Sequence, residues 1–142
     1  MKISIGCDHG AYDLKETLKN HLTAKGYEVA DEGTYSKDSC DYPVFAHKVA
    51  NKVAAGDVDF GILCCTTGIG MSIAANKIKG ARAALLHDEF SAEMTRRHNN
   101  SNILCIGAKI VESEEKACRL ADIFLSTEFE GGRHERRVNM FE

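Results

Sequence analysis

Several short groups of residues have the types and spacing to do chemistry. Asp8-His9 joins a carboxylate to an imidazole, a pair able to handle hydroxyls, phosphates or protons. A helix cap by Asp8 beside a solvated His9 accounts for the same two residues. Cys65 stands just before Thr66-Thr67-Gly68-Ile69-Gly70. A thiol at the start of a helix favours thiolate, a base or a nucleophile, whereas a small core residue is the plainer role for it. The glycines of Thr67-Gly68-Ile69-Gly70 let backbone N–H groups face an anion, such as a phosphate or a developing enediolate. They equally suit a tight strand-to-helix turn. The run has neither the dinucleotide nor the P-loop spacing, so nucleotide binding gains no support. His98-Asn99 closes a charged stretch, where an imidazolium is stabilised by a helix's negative end. Arg133 and Arg137 fall at i, i+4, on one face if that segment is helical. Two guanidiniums together suit a phosphate. A solvated basic surface, or pairing with Glu135, explains them as well.

These groups need elements to hold them. Lys2–Cys7 reads as a short strand, and Leu14, Leu18 and Leu22 mark an amphipathic helix that Gly26 ends. Tyr27–Asp31 is the second strand and Glu32–Tyr42 a loop. Pro43 suits a helix start, with Phe45, Val49, Ala50 and Val53 as its apolar face and Gly56-Asp57 as its end. Phe60–Cys65 is nearly all apolar, as in a strand buried on both faces. Alternation puts Cys64 on the face opposite Cys65, in the core. The pattern then predicts a helix over Ser72–Lys79, a strand over Ala81–Leu86, a charged helix over Asp88–His98 and a strand over Ile103–Gly107. Ser113–Leu125 is the last long helix, with Ser113 as its N-cap. Residues 127–142 read as a polar, charged tail. Strands alternating with helices predict a single-domain three-layer α/β/α sandwich, Rossmann-like, around a five-stranded, mainly parallel sheet. Ligands in such sheets bind beyond the strands' carboxyl ends. If the first and third strands lie close, Asp8, His9, Cys65 and Thr67 share one rim.

Composition excludes other classes. A chain of 142 residues with 44% hydrophobic and 27% charged residues, 12 Gly and 1 Pro is one ordinary globular domain. Its 18 Lys plus Arg against 21 Asp plus Glu argue against a nucleic-acid-binding face. No apolar run is long enough to span a bilayer. The apolar stretch of Met1–Gly6 is too short for a signal peptide, so a cytoplasmic location is expected. Six cysteines occur without a CxxC pair. Buried free thiols are expected, with neither a zinc site nor a disulfide framework.

The order of the motifs resembles the ribose/galactose-6-phosphate isomerase family over essentially the whole chain. The resemblance rests on Gly6-Cys7-Asp8-His9-Gly10, Asp41-Tyr42-Pro43, Cys65 through Lys77, Arg96-Arg97-His98-Asn99-Asn100 and Glu130-Gly131-Gly132-Arg133-His134. It implies an aldose–ketose isomerase of a sugar phosphate, ribose 5-phosphate first, in which Cys65 moves a proton between C1 and C2. It implies that Thr67 handles substrate oxygens and that the amides of Gly68, Ile69, Gly70, Met71 and Ser72 hold the enediolate. Asp8 would contact ring and hydroxyl oxygens. His98 would be the ring-opening acid/base, with Asn99 beside it. His9, Arg133 and Arg137 would hold the phosphate. The family's site forms between subunits, with the His98-Asn99 segment and the Lys109 position coming from the partner. A homodimer, or a tetramer of two dimers, is therefore implied, with the 127–142 tail on the partner. No metal and no cofactor is implied, since an enediol route needs only acid, base and oxyanion donors.

Three positions depart from the family's usual pattern. Thr66 stands where Gly is usual and Lys109 where Arg is common; Lys keeps the charge but loses the bidentate fork. Met71 stands where some branches carry a glutamate base, which leaves Cys65 as the base of this chain. The rival substrate is a six-carbon sugar phosphate, allose 6-phosphate or galactose 6-phosphate. A sugar-phosphate or nucleotide sensor on the same fold needs no base, and a thiol redox protein lacks its CxxC.

Overall fold

A computed structural model describes residues 1–141. The strands are β1 (Lys2–Cys7), β2 (Glu28–Asp31), β3 (Phe60–Cys65), β4 (Ala83–Leu85) and β5 (Ile103–Gly107). The helices are α1 (Tyr12–Ala24), α2 (Tyr42–Ala55), α3 (Ile69–Ala75), α4 (Glu89–Asn99), α5 (Glu114–Ser126) and α6 (Arg133–Val138). All strand pairs are parallel, in the order β2-β1-β3-β5-β4. Right-handed crossovers to either side of β1 then place α1 and α2 on opposite faces.

Side-chain alternation divides the core accordingly. Ile3, Ile5, Ile62, Cys64, Leu104 and Ile106 pack against Leu14, Leu18 and Leu22 of α1 and Ala117, Ala121 and Phe124 of α5. Leu63, Cys65, Ile103 and Cys105 pack against Ala46, Val49, Ala50 and Val53 of α2 and Met71, Ala74 and Ala75 of α3. Adjacent Cys64 and Cys65 thus serve different layers. All six cysteines are free, and Cys7, Cys64, Cys65 and Cys105 are buried.

Caps set several helix ends. Asp88 and Ser113 accept from the N–H groups of Ser91 and Lys116 to open α4 and α5. Gly56 and Asn100 close α2 and α4 in left-handed conformations.

The segment after β3 differs from the pattern-based expectation. The helix begins at Ile69, not Ser72, because Gly68 takes φ 77° and ends the strand-to-helix turn there. It stops at Ala75, short of Lys79, where Asn76 swings out to bond both N–H and C=O of Ala83. That clasp closes one edge of β4, itself shorter than Ala81–Leu86. The charged 127–142 segment is also not a plain tail, since α6 forms within it and packs on α4.

Candidate active site

β1 and β3 lie side by side where the chain reverses its direction across the sheet. Their carboxyl ends are the crevice in which such folds bind ligands. Asp8 and Cys65 sit at those ends. The Asp8 N–H donates to the Cys64 carbonyl (3.2 Å), extending the ladder one residue past β1. Its Oδ1 accepts from the Gly10 N–H at 2.9 Å, which opens the 3-10 turn His9–Ala11 leading into α1. Asp8 therefore caps the turn and still stands at the rim.

The Cys65 side chain points toward α2 and α3 and is 5% exposed. The Gly68 N–H donates to its Sγ at 3.1 Å, which ties the thiol to the loop that follows. That loop is pressed onto β5. The Ala108 N–H donates to the Cys65 carbonyl and the Lys109 N–H to the Thr66 carbonyl, at 2.9 and 3.0 Å. A Cβ on Gly68 would stand 2.9 Å from the Gly107 nitrogen, so only glycine fits the approach.

The amides from Gly68 to Ser72 are not equivalent. Gly68 N–H is engaged by Cys65, Ile69 N–H by Thr67 Oγ1 at 3.3 Å, and Ser72 N–H by the Gly68 carbonyl. Ser72 Oγ donates to the Ile69 carbonyl. Met71 is fully buried in the α2–α3 core. Gly70 alone in this set combines partial exposure with an N–H that has no partner among the described residues. Of the five amides expected to face an anion, Gly70 is thus the partly exposed one left without a partner among the described residues. The Tyr42 ring lies over it, and a Cβ there would come within 2.5 Å of Tyr42 Cε1.

His9 is exposed, and its Nδ1 accepts from the Cys40 N–H at 3.2 Å. The neutral ring then carries its proton on Nε2. His9 lines a cavity of about 480 Å³ together with Lys37 and Lys109 of its own chain. Lys109 thus lines a cavity with the His9 of its own chain, although the resemblance implies that this position comes from the partner. Thr66, the departure from glycine, sets its hydroxyl against Gly10, leaving no room for a Cβ there.

His98, Asn99, Arg133 and Arg137 are elsewhere. α4 runs back from the carboxyl edge, and β5 starts only at Ile103. His98 therefore lies toward the amino end of the sheet, a strand's length of roughly 16 Å from Cys65. Arg96 fixes this end, donating to the carbonyls of Thr127 and Ser101 and to Asn100 Oδ1. His98 stacks on His134, with ring centroids 4.3 Å apart. One chain thus brings Asp8, His9, Cys65, Thr67, Gly70 and Lys109 together and leaves His98, Asn99, Arg133 and Arg137 at the far end.

Three supports were not singled out from the sequence. Tyr42 covers Gly70, the Cys40 N–H sets the His9 tautomer, and His87 Nε2 accepts from the Gly107 N–H at 2.9 Å beneath the loop. Burial pushes the His87 imidazole below its usual range, against the pull of Asp88, and so keeps it an acceptor. Asp41-Tyr42 before a helix-starting Pro43 and His87-Asp88 after a strand were the available signals.

A parallel α/β sheet with a thiol and a glycine-bearing turn at its reversal point is here the framework of a sugar-phosphate isomerase. The chain belongs to the family described as Ribose/Galactose Isomerase, whose model matches residues 3–141. It is 47% identical to ribose-5-phosphate isomerase B of Escherichia coli, over 96% of this chain and 91% of that one. Among solved structures, ribose-5-phosphate isomerase B of Clostridium thermocellum superposes with a TM-score of 0.96 at 48% identity, covering 99% and 94% of the two chains. The Mycoplasma genitalium ribose-5-phosphate isomerase B with bound ribulose-5-phosphate superposes at 0.93 with 42% identity, covering 98% and 92%.

Proposed function

We propose that the chain interconverts ribose 5-phosphate and ribulose 5-phosphate, with Cys65 as the base. The thiolate takes the C2 proton of the open-chain aldose. The C–H electron pair becomes the C1–C2 double bond, and the carbonyl pair moves onto oxygen. The Gly70 N–H stabilises that enediolate, Thr67 relays the O2 proton to O1 so that the C2 carbonyl forms, and the C1–C2 double-bond pair takes the proton back from Cys65 at C1. Asp8 contacts hydroxyl and ring oxygens, while His9 and Lys109 attract the phosphate.

The observation that carries this reading is the nearly buried Cys65, held by the Gly68 N–H at 3.1 Å beside the free amide of Gly70. A base and an oxyanion donor within one turn is what an enediolate needs. The likeness to an isomerase holding ribulose-5-phosphate supports the substrate.

His98 completes the site as ring-opening acid, with Asn99, Arg133 and Arg137, and all four come from a second copy. Their position across the sheet from Cys65 supports a homodimer with shared sites, or a tetramer of two such dimers, with the 127–142 segment facing the partner. We place the enzyme in the cytoplasm.

The test is turnover of chelator-treated protein on ribose 5-phosphate and allose 6-phosphate side by side. Fast conversion of the pentose, lowered about 10²–10⁴-fold in Cys65→Ala with unchanged circular dichroism, is expected. Normal turnover by that variant overturns the base. A preference for the hexose moves the substrate and makes Thr66 and Lys109 its determinants.

A further inference from the structure

We propose that His98, Glu130 and His134 form a binding site for a divalent transition-metal ion of the zinc type. They are the only group of three or more metal-ligating side chains found close together among the described residues, with ligand atoms all within 4.8 Å of one another. Glu130 Oε1 lies 3.5 Å from His134 Nε2 and 4.0 Å from His98 Nε2. These separations are too long for hydrogen bonds. They approach the edge of a tetrahedral zinc site, roughly 3.4 Å for metal–ligand bonds of about 2.0–2.2 Å. The imidazoles lie nearly parallel, at 11°, so binding turns them about their side-chain bonds until both lone pairs meet one point. Both rings reach solvent, the His98 side chain being 41% exposed and that of His134 11%.

The surroundings hold the carboxylate as a second shell of ligands does. The Arg97 Nε donates to Glu130 Oε2, and the Glu130 N–H donates to the Arg97 carbonyl. Oε1 is left facing the two rings. Two imidazoles and one carboxylate suit zinc, cobalt or nickel, whereas magnesium and calcium demand oxygen ligands. Three protein ligands leave a fourth position open.

The site stands on its geometry. Its effect on turnover rests on the reading of His98 as ring-opening acid, since a bound ion takes the lone pair that His98 would use.

The experiment titrates Co²⁺ and then Zn²⁺ into the purified full chain, followed by visible absorption and calorimetry. One ion per chain, d–d bands and no thiolate-to-cobalt charge transfer are expected. His134→Ala and Glu130→Gln each weaken binding more than about tenfold, while Cys65→Ser and Cys40→Ser bind as before. Absence of saturable binding overturns the site. So does a thiolate band lost in Cys65→Ser, or an affinity unchanged in both His134→Ala and Glu130→Gln; the exposed Glu130 keeps the test valid if the His134 variant fails to fold. Zn²⁺ slows ribose 5-phosphate turnover in the intact protein. Binding without that slowing supports the metal site and overturns the role of His98.

Discussion

Gly68 shows how much one residue carries. Its φ of 77° and the 2.9 Å between a would-be Cβ and the Gly107 nitrogen come from backbone that cannot swing aside. Gly131 and Gly132 also have positive φ but nothing within 4 Å. Gly68→Ala is therefore expected to cost more than the roughly 1–2 kcal/mol of left-handed strain alone, and Gly131→Ala no more than that. Urea unfolding of the two variants checks this. Gly68→Ala should also lower turnover strongly, because its N–H no longer reaches the Cys65 sulfur.

At the scale of elements, the loop between β2 and α2 is pinned by α1. Lys15 is fully buried, and its Nζ bonds both Asp31 oxygens (2.9 and 3.0 Å) and the Thr34 carbonyl (2.6 Å). The Tyr12 and Tyr35 rings flank it. This loop brings the Cys40 N–H to His9. Lys15→Met removes one partner of a buried ion pair and is expected to cost roughly 3 kcal/mol and to raise KM more than it lowers kcat. Burial alone would raise Asp31, but the hydrogen bonds from Lys15, the Gly33 N–H and Lys19 hold it below the usual carboxylate range. Its stabilisation is thus present above the unfolded value, about pH 4, and is lost as pH falls through the lower folded value. Urea midpoints measured down a pH series should show that acid loss in the wild type and lose its Asp31 share in Asp31→Asn.

For the whole molecule, the question is which copy supplies which end of the site. Cys65 and His98 lie at opposite edges of one sheet. Cys65→Ala and His98→Ala chains should each be nearly inactive on the cyclic sugar phosphate. On the proposed shared-site dimer, the two variants mixed equally and allowed to exchange pair with each other in half the cases. Each mixed dimer holds one intact site of two, so about a quarter of wild-type activity returns. No recovery, in a mixture shown to exchange subunits, means that each chain works alone.

Local pattern determined much of this protein. The nearly all-apolar run Phe60–Cys65 reads as a doubly buried strand, and alternation along it separates Cys64 from Cys65. The Leu14, Leu18, Leu22 spacing sets α1, and the alternation of strands with helices sets the layers. Even Asp8 and Cys65 at one rim follow once β1 and β3 are neighbours. The start of α3 and the covering of Gly70 by Tyr42 were decided by contacts between distant segments, which periodicity does not encode. So was the stacking of His98 on His134, because α6 gains its place only by packing on α4. Parallel pairing decided that Cys65 and His98 lie at two ends of one sheet, since a helix returning to the next parallel strand must end at the opposite edge.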